Sequence, residues 1–150
     1  MTETQKYTVS RTINASIDQV WDVISNPELH KEFDSSGRVR SDEKSNRIQA
    51  TGEVFTMNME GPNGAYKTDN HVVGYNEHKL LAWATAPAGQ DPLGWQWVWE
   101  LNSTDSDTTE VSLTYDWSKV SDEMQKKFNL PLLDEKELED SLANLAAAVE

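Results

Sequence analysis

The chain has 150 residues, and 26 Asp plus Glu against 13 Lys plus Arg give a formal charge of −13. That length suits one domain, expected over residues 1–150, burying roughly 70% of its unfolded surface. The acidic balance argues against nucleic acid and anionic membranes as partners, and a sequence without cysteine excludes disulfides, thiolate nucleophiles and cysteine-bound metal.

Met1 to Lys6 has no apolar run behind its lysine, and no apolar stretch approaches membrane-spanning length, so a soluble cytoplasmic protein is expected. Tyr7 to Ile13 alternates apolar and polar residues and reads as a strand ended by Asn14. Ser16 and Gln19 then form a capping box, and Ile17, Val20, Trp21 and Ile24 fall on one helical stripe. Asn26-Pro27 stops that helix and suits the start of a short second one, from Pro27 to about Phe33.

After the turn residues Asp34 to Gly37, the pattern becomes that of strands. Val39 to Glu43 is a weak strand, and Gln49 to Glu60 a longer one in which Phe55, Met57 and Met59 alternate with polar residues. Gly61-Pro62-Asn63-Gly64 is a hairpin turn, Tyr66 to Tyr75 returns, residues 76–79 turn again, and Leu80 to Ala86 runs back. A loop over residues 87–92 leads into Leu93-Gly94-Trp95-Gln96-Trp97-Val98-Trp99-Glu100-Leu101, where three of the six tryptophans recur at every second residue. Period two places the Trp and Leu set on one sheet face. The polar run Asn102 to Thr109 links this strand to Glu110 to Trp117, in which Val111, Leu113, Tyr115 and Trp117 share a face.

The C-terminal part reads as helical. Ser121 caps a short helix carrying Met124 and Phe128, which Pro131 separates from a final helix with Asp134 as cap, Glu137 three residues on, and Leu133 stapled against Leu138. Its apolar stripe is Leu138, Leu142, Leu145 and Val149. The acidic run Asp134 to Asp140 reads as a solvated helix face or as a docking surface for a basic partner. This order is α+β: hairpin-linked antiparallel strands curving around one long helix, with a hollow wherever sheet and helix diverge.

Three segments carry a family resemblance: Ile17 to His30 after the first strand, Thr109 to Trp117, and Ser141 to Leu145 in the last helix. With the order of elements they are similar to the START-like helix-grip superfamily, and within it to the bacterial polyketide cyclase/dehydrase and lipid-transport group. The resemblance implies a helix-grip fold with an apolar cavity between sheet and C-terminal helix, taking lipids, polyketides or other aromatic molecules. It implies no particular chemistry.

On this basis Trp95, Trp97, Trp99, Tyr115 and Trp117 are expected to wall a site for a small hydrophobic or aromatic ligand, closed on the other side by Leu138, Leu142 and Leu145. The same residues also suit plain core. A dry empty hollow of ~300 Å³ would cost on the order of 7 kcal/mol, so a small, hydrated or occupied cavity is expected. Among the three histidines, His78 reads as a solvated turn residue and His71 as outward-facing, whereas His30 and Asp34 form either an acid/base pair at a cavity mouth or a surface pair. Neither the histidine spacing nor the serine and glycine contexts signal a metal site, a hydrolase or a nucleotide loop, and no metal or cofactor is expected. Asn58, Thr68 and Asn70 either project into the cavity or lie on the sheet surface. Two alternatives to simple binding stand: a cyclase, aromatase or dehydratase using His30 or Tyr115, and a protein-interaction module resembling a chaperone activator, with its partner unidentified.

Overall fold

The computed structural model describes residues 5–33, 39–42, 48–61, 64–92, 94–127 and 134–150. Strand β1 (Lys6–Ile13) is followed by helix α1 (Ile17–Ile24) and a 3-10 helix (Pro27–Glu32). Six strands come next: β2 (Val39–Asp42), β3 (Val54–Gly61), β4 (Gly64–Asn76), β5 (Leu80–Pro87), β6 (Gln96–Asp105) and β7 (Thr108–Asp116). Helices α2 (Asp122–Lys127) and α3 (Glu135–Val149) complete the chain. All seven strands form one antiparallel sheet in the order β1-β7-β6-β5-β4-β3-β2, the expected α+β helix-grip arrangement.

The caps form as their sequences dictate. The Ser16 hydroxyl accepts from the Gln19 N–H while the Gln19 amide oxygen accepts from the Ser16 N–H, and Asp134 and Glu137 reproduce the box on α3. The Leu133 staple, Phe128, the Asp34 to Gly37 turn, and Pro62 and Asn63 lie outside the described residues. The second helix is 3-10 in type, with Asn26 capping the Glu28 N–H and Pro27 in its first turn.

Three points add to or change the sequence reading. Residues 49–53 precede β3 instead of belonging to it, because the chain turns at Gly52, whose φ of +98° only glycine adopts readily. The polar run Asn102 to Thr109 is the end of a hairpin, paired out to Asp105 opposite Thr108. Its residues before Thr108 are exposed, so the ladder runs beyond the core and carries no apolar pattern. Finally, β4 reads as mixed because a bulge between Val72 and Gly74 shifts its register, which lets Tyr75 pack on Trp21 while Asn70 and Val72 also face inward.

The core lies under α3, which packs on β1 and β7 and against α1. Leu138, Leu142 and Leu145 are fully buried there with Val9, Ile13, Val20, Ile24 and Val111. Gly94, at φ +126°, introduces the tryptophan strand with no room for a side chain: a Cβ there would come within 2.8 Å of the Lys119 carbonyl. On the outer sheet face Asp69 accepts from the Gly89 N–H (2.8 Å) and the Thr56 hydroxyl (2.7 Å), tying the turn after β5 to β4. These bonds, the Gly89 N–H foremost, hold the Asp69 carboxyl below its ordinary range.

Two stability outcomes follow. Gly94→Ala is expected to lower unfolding free energy by ~2–3 kcal/mol in denaturant titrations, since both backbone strain and steric overlap oppose it. For Asp69 the folded pKa is depressed, so its contribution is complete above the unfolded carboxyl value of about 3.9 and declines as pH falls through the lower folded value. Asp69→Asn is therefore expected to be less stable than the parent at pH 7, with the gap closing below pH ~4 in chemical denaturation.

Candidate ligand cavity

The inner face of the sheet is built in rows. Register places Trp83 of β5 opposite Trp97 of β6, Trp97 opposite Tyr115 of β7, and Tyr115 opposite Tyr7 of β1, one aromatic row across four strands. Cross-strand neighbours on one face approach closely enough for rings to stack, and Trp97 and Tyr115 do so at 4.3 Å and 15°. The next row is Leu81, Trp99, Leu113 and Val9.

Beyond the edge of α3 this face opens into a cavity of about 510 Å³. Trp83, Trp95, Trp97 and Trp99 supply its aromatic wall, and Phe55, Met57 and Met59 of β3 the adjoining apolar side. His30 and Phe33 come from the 3-10 helix, and Tyr66, Thr68 and Asn70 from β4. From α3 come Glu137 and Ser141, one turn apart, beside the leucine stripe.

The expected ligand contacts divide accordingly. Trp95, Trp97 and Trp99 line the cavity, whereas Tyr115, Trp117, Leu138, Leu142 and Leu145 are not among its described lining residues. Tyr115 lies behind Trp97, with Trp117 at 5.2 Å on its other side, and the three leucines close against β1, β7 and α1. The leucine stripe expected as the opposite wall packs on β1, β7 and α1, and the α3 residues among the described lining are Glu137 and Ser141.

Polar groups are few and mostly settled. Asn70 donates its amide to the Phe55 carbonyl (3.3 Å) and the Thr68 hydroxyl oxygen (3.4 Å), and accepts from the Thr85 hydroxyl (2.7 Å). Thr68 and Asn70 are therefore inward-facing, while Asn58, opposite Lys67, is on the outer face. His30 is buried, stacks on Trp83 at 5.0 Å and 17°, and meets Phe55 edge-on at 5.2 Å. Its Nε2 lies 2.8 Å from the Ile24 carbonyl, which can only accept, so Nε2 carries the proton. The proposed partner Asp34 lies outside the described residues. One wall group has no partner: the buried Trp99 Nε1–H meets no acceptor among the described residues, at a cost of ~1–3 kcal/mol.

The other histidines lie outside the cavity lining. His78, in the turn at φ +65°, lies 3.1 Å from Asp18 and edge-on to Trp21. His71 faces outward beside Val54 and Ala84. Trp83 is one lining residue that the sequence does not assign to the cavity, as are Phe33, Phe55, Met57, Met59, Glu137 and Ser141. The strand of Trp83, Leu80 to Ala86, is apolar at both parities, so period alone assigns no face; the outer set is Ala82 and Ala84, small enough to be buried between neighbours.

Comparison with known proteins adds a family to this geometry. An uncharacterized protein of Mycobacterium tuberculosis is 28% identical over 111 residues, 73% of this chain and 47% of that protein. The chain thus spans about half the length of the curated relatives it matches. Among solved structures, the Zhui aromatase/cyclase of a Streptomyces species aligns with a TM-score of 0.67 at 12% identity, over 95% of this chain and 92% of that one. A protein of Mycobacterium smegmatis aligns with a TM-score of 0.68 at 14% identity, over 97% and 90% of the two chains. At such identities the likeness is one of fold. Residues 4–150 match the family described as polyketide cyclase / dehydrase and lipid transport, and the chain belongs to that family.

Proposed function

We propose that this chain binds a small, flat, hydrophobic or aromatic molecule in the cavity between β3–β6 and the 3-10 helix. The observation that carries this reading is the set of four indoles, Trp83, Trp95, Trp97 and Trp99, around a space of about 510 Å³. That volume falls in the range of small-molecule sites, and rings of this kind offer a large rigid contact area to a planar guest. Three of the four were expected to share a face from the sequence alone; the fourth completes the wall. Tyr115, Trp117, Leu138, Leu142 and Leu145 support the site from behind or beside it.

A second reading, chemistry on the bound molecule, has one observation in its favour. His30, the imidazole that lines the cavity, is held in place by the bond from its Nε2–H to the Ile24 carbonyl and by its stack on Trp83. Tyr115 lacks that position, so the enzymatic reading rests on His30. The interaction-module reading anticipates a filled core, which the cavity opposes.

Flat aromatic compounds at about 100 times their dissociation constant are expected to stabilise the fold by ~2.7 kcal/mol, a rise of several degrees in Tm by differential scanning fluorimetry. No shift across a broad aromatic and lipid library contradicts the reading. Trp97→Ala is expected to weaken such a ligand by about tenfold in calorimetric titration, or ~1.4 kcal/mol, whereas the outward Gln96→Ala and Glu100→Ala leave affinity within twofold. Equal losses at all three sites contradict an inner-face ligand.

A further inference from the structure

Glu137 lines the cavity with a charge that the fold does not require. It stands in the first turn of α3 as part of the capping box, in which its Oε1 accepts from the Asp134 N–H (3.3 Å). The same box at the start of α1 is built with the neutral Gln19, so this local structure needs no carboxylate. Glu137 is half-buried, and among the described residues its second oxygen, Oε2, meets no donor and no cation. Ser141, one turn on and on the same helix face, also lines the cavity, which sets the Glu137 side chain at the cavity flank of α3.

Charge narrows the guest. An ionised carboxylate on the guest would meet a like charge at this flank. The N-terminus of α3 offers an anion little in return, because Asp134, Glu135 and Glu137 already face its dipole and the Asp134 carboxylate takes the Glu137 N–H at 2.9 Å. For a cation both sides of the space are favourable. Glu137 attracts it directly, and a chain of formal charge −13 raises the local concentration of cations. Indole rings attract a positive charge placed over their faces, and four of them line this cavity, with Tyr115 covering only one face of Trp97.

We propose that the guest of this cavity is a flat aromatic molecule bearing a positively charged nitrogen, which the Glu137 carboxylate draws to the α3 flank while the indoles hold the ring. This rests on the reading of the cavity as a site for a flat hydrophobic molecule. Glu137 is then the residue that sets the sign of the guest's charge, and the tryptophans set its shape.

The test compares trimethyl(2-naphthylmethyl)ammonium with 2-neopentylnaphthalene, which has carbon in place of the charged nitrogen and the same shape. Affinities are measured by NMR titration at pH ~8, where carboxylates are ionised and an ordinary imidazole is neutral. The proteins are the parent, Glu137→Gln, which keeps the capping box, and Glu139→Gln, which removes the same unit of charge from an exposed position of α3 outside the lining. Glu137→Gln is expected to weaken the ammonium probe about fivefold while the hydrocarbon stays within about twofold, and Glu139→Gln is expected to leave both within about twofold. In the parent, the Glu137 carboxyl carbon signal is expected to move with the ammonium probe and to stay in place with the hydrocarbon. An ammonium affinity unchanged in Glu137→Gln, a loss shared by the hydrocarbon, or an equal loss in Glu139→Gln overturns the assignment and leaves the cavity reading standing. So does a parent that binds the hydrocarbon and not the ammonium probe. Failure of both probes to bind the parent overturns the two readings together. If Glu137→Gln does not fold, the carboxyl signal of the parent decides the matter.

Discussion

One helix is narrower than the sheet it grips. Seven strands spaced ~4.8 Å apart span about 29 Å, whereas an α-helix with its side chains is ~10–12 Å across. Helix α3 spends its leucines on β1 and β7, where α1 closes the remaining side. Among the described residues, α1 covers part of the inner faces of β4 and β6, where Trp21 meets Tyr75, the 3-10 helix brings His30 and Phe33 against Phe55, Trp83 and Trp99, and the cavity lies beside them. The site therefore follows from a mismatch of widths, with the aromatic side chains of β5 and β6 at the border between packed core and open space.

The border is one continuous row. Tyr115 is fully buried with Trp97 stacked on it and Trp117 beside it, and Trp97 in turn stands opposite Trp83. Rings held by neighbours on the core side have little freedom to change rotamer, so the wall is preformed and would lose little entropy on taking the proposed guest. This is the part played by Tyr115 and Trp117: they fix the surface that others present.

What the sequence made legible was what depends on local rules. The two capping boxes, the helical stripe of α1 and the period-two faces of β6 and β7 require only nearby residues, and each forms as read. Two things were hidden for physical reasons. The inward side of β4 was obscured by the bulge at Val72 and Gly74, which breaks strict alternation, and that of β5 by alanines buried on its outer face. Which end of the sheet α3 covers depends on long-range packing, and an amphipathic stripe records only that some face is covered. The stripe therefore suggests Leu142 as a wall residue, and the α3 residues among the described lining are Glu137 and Ser141. Phe55, Met57 and Met59 did carry a usable signal, an apolar alternation on a strand with polar residues between, although nothing local tied it to a cavity.

The location of the guest is the central claim, and the methionine methyl groups report it most directly. Met57 and Met59 line the cavity, while Met124 packs against the core from α2 and Leu142 sits on the buried face of α3. Carbon-13 methyl spectra recorded while a naphthalene probe is titrated should show ring-current shifts at Met57 and Met59, with Met124 and Leu142 unmoved. Shifts at Leu142 or Met124 with none at Met57 and Met59 would place the guest elsewhere and contradict the account.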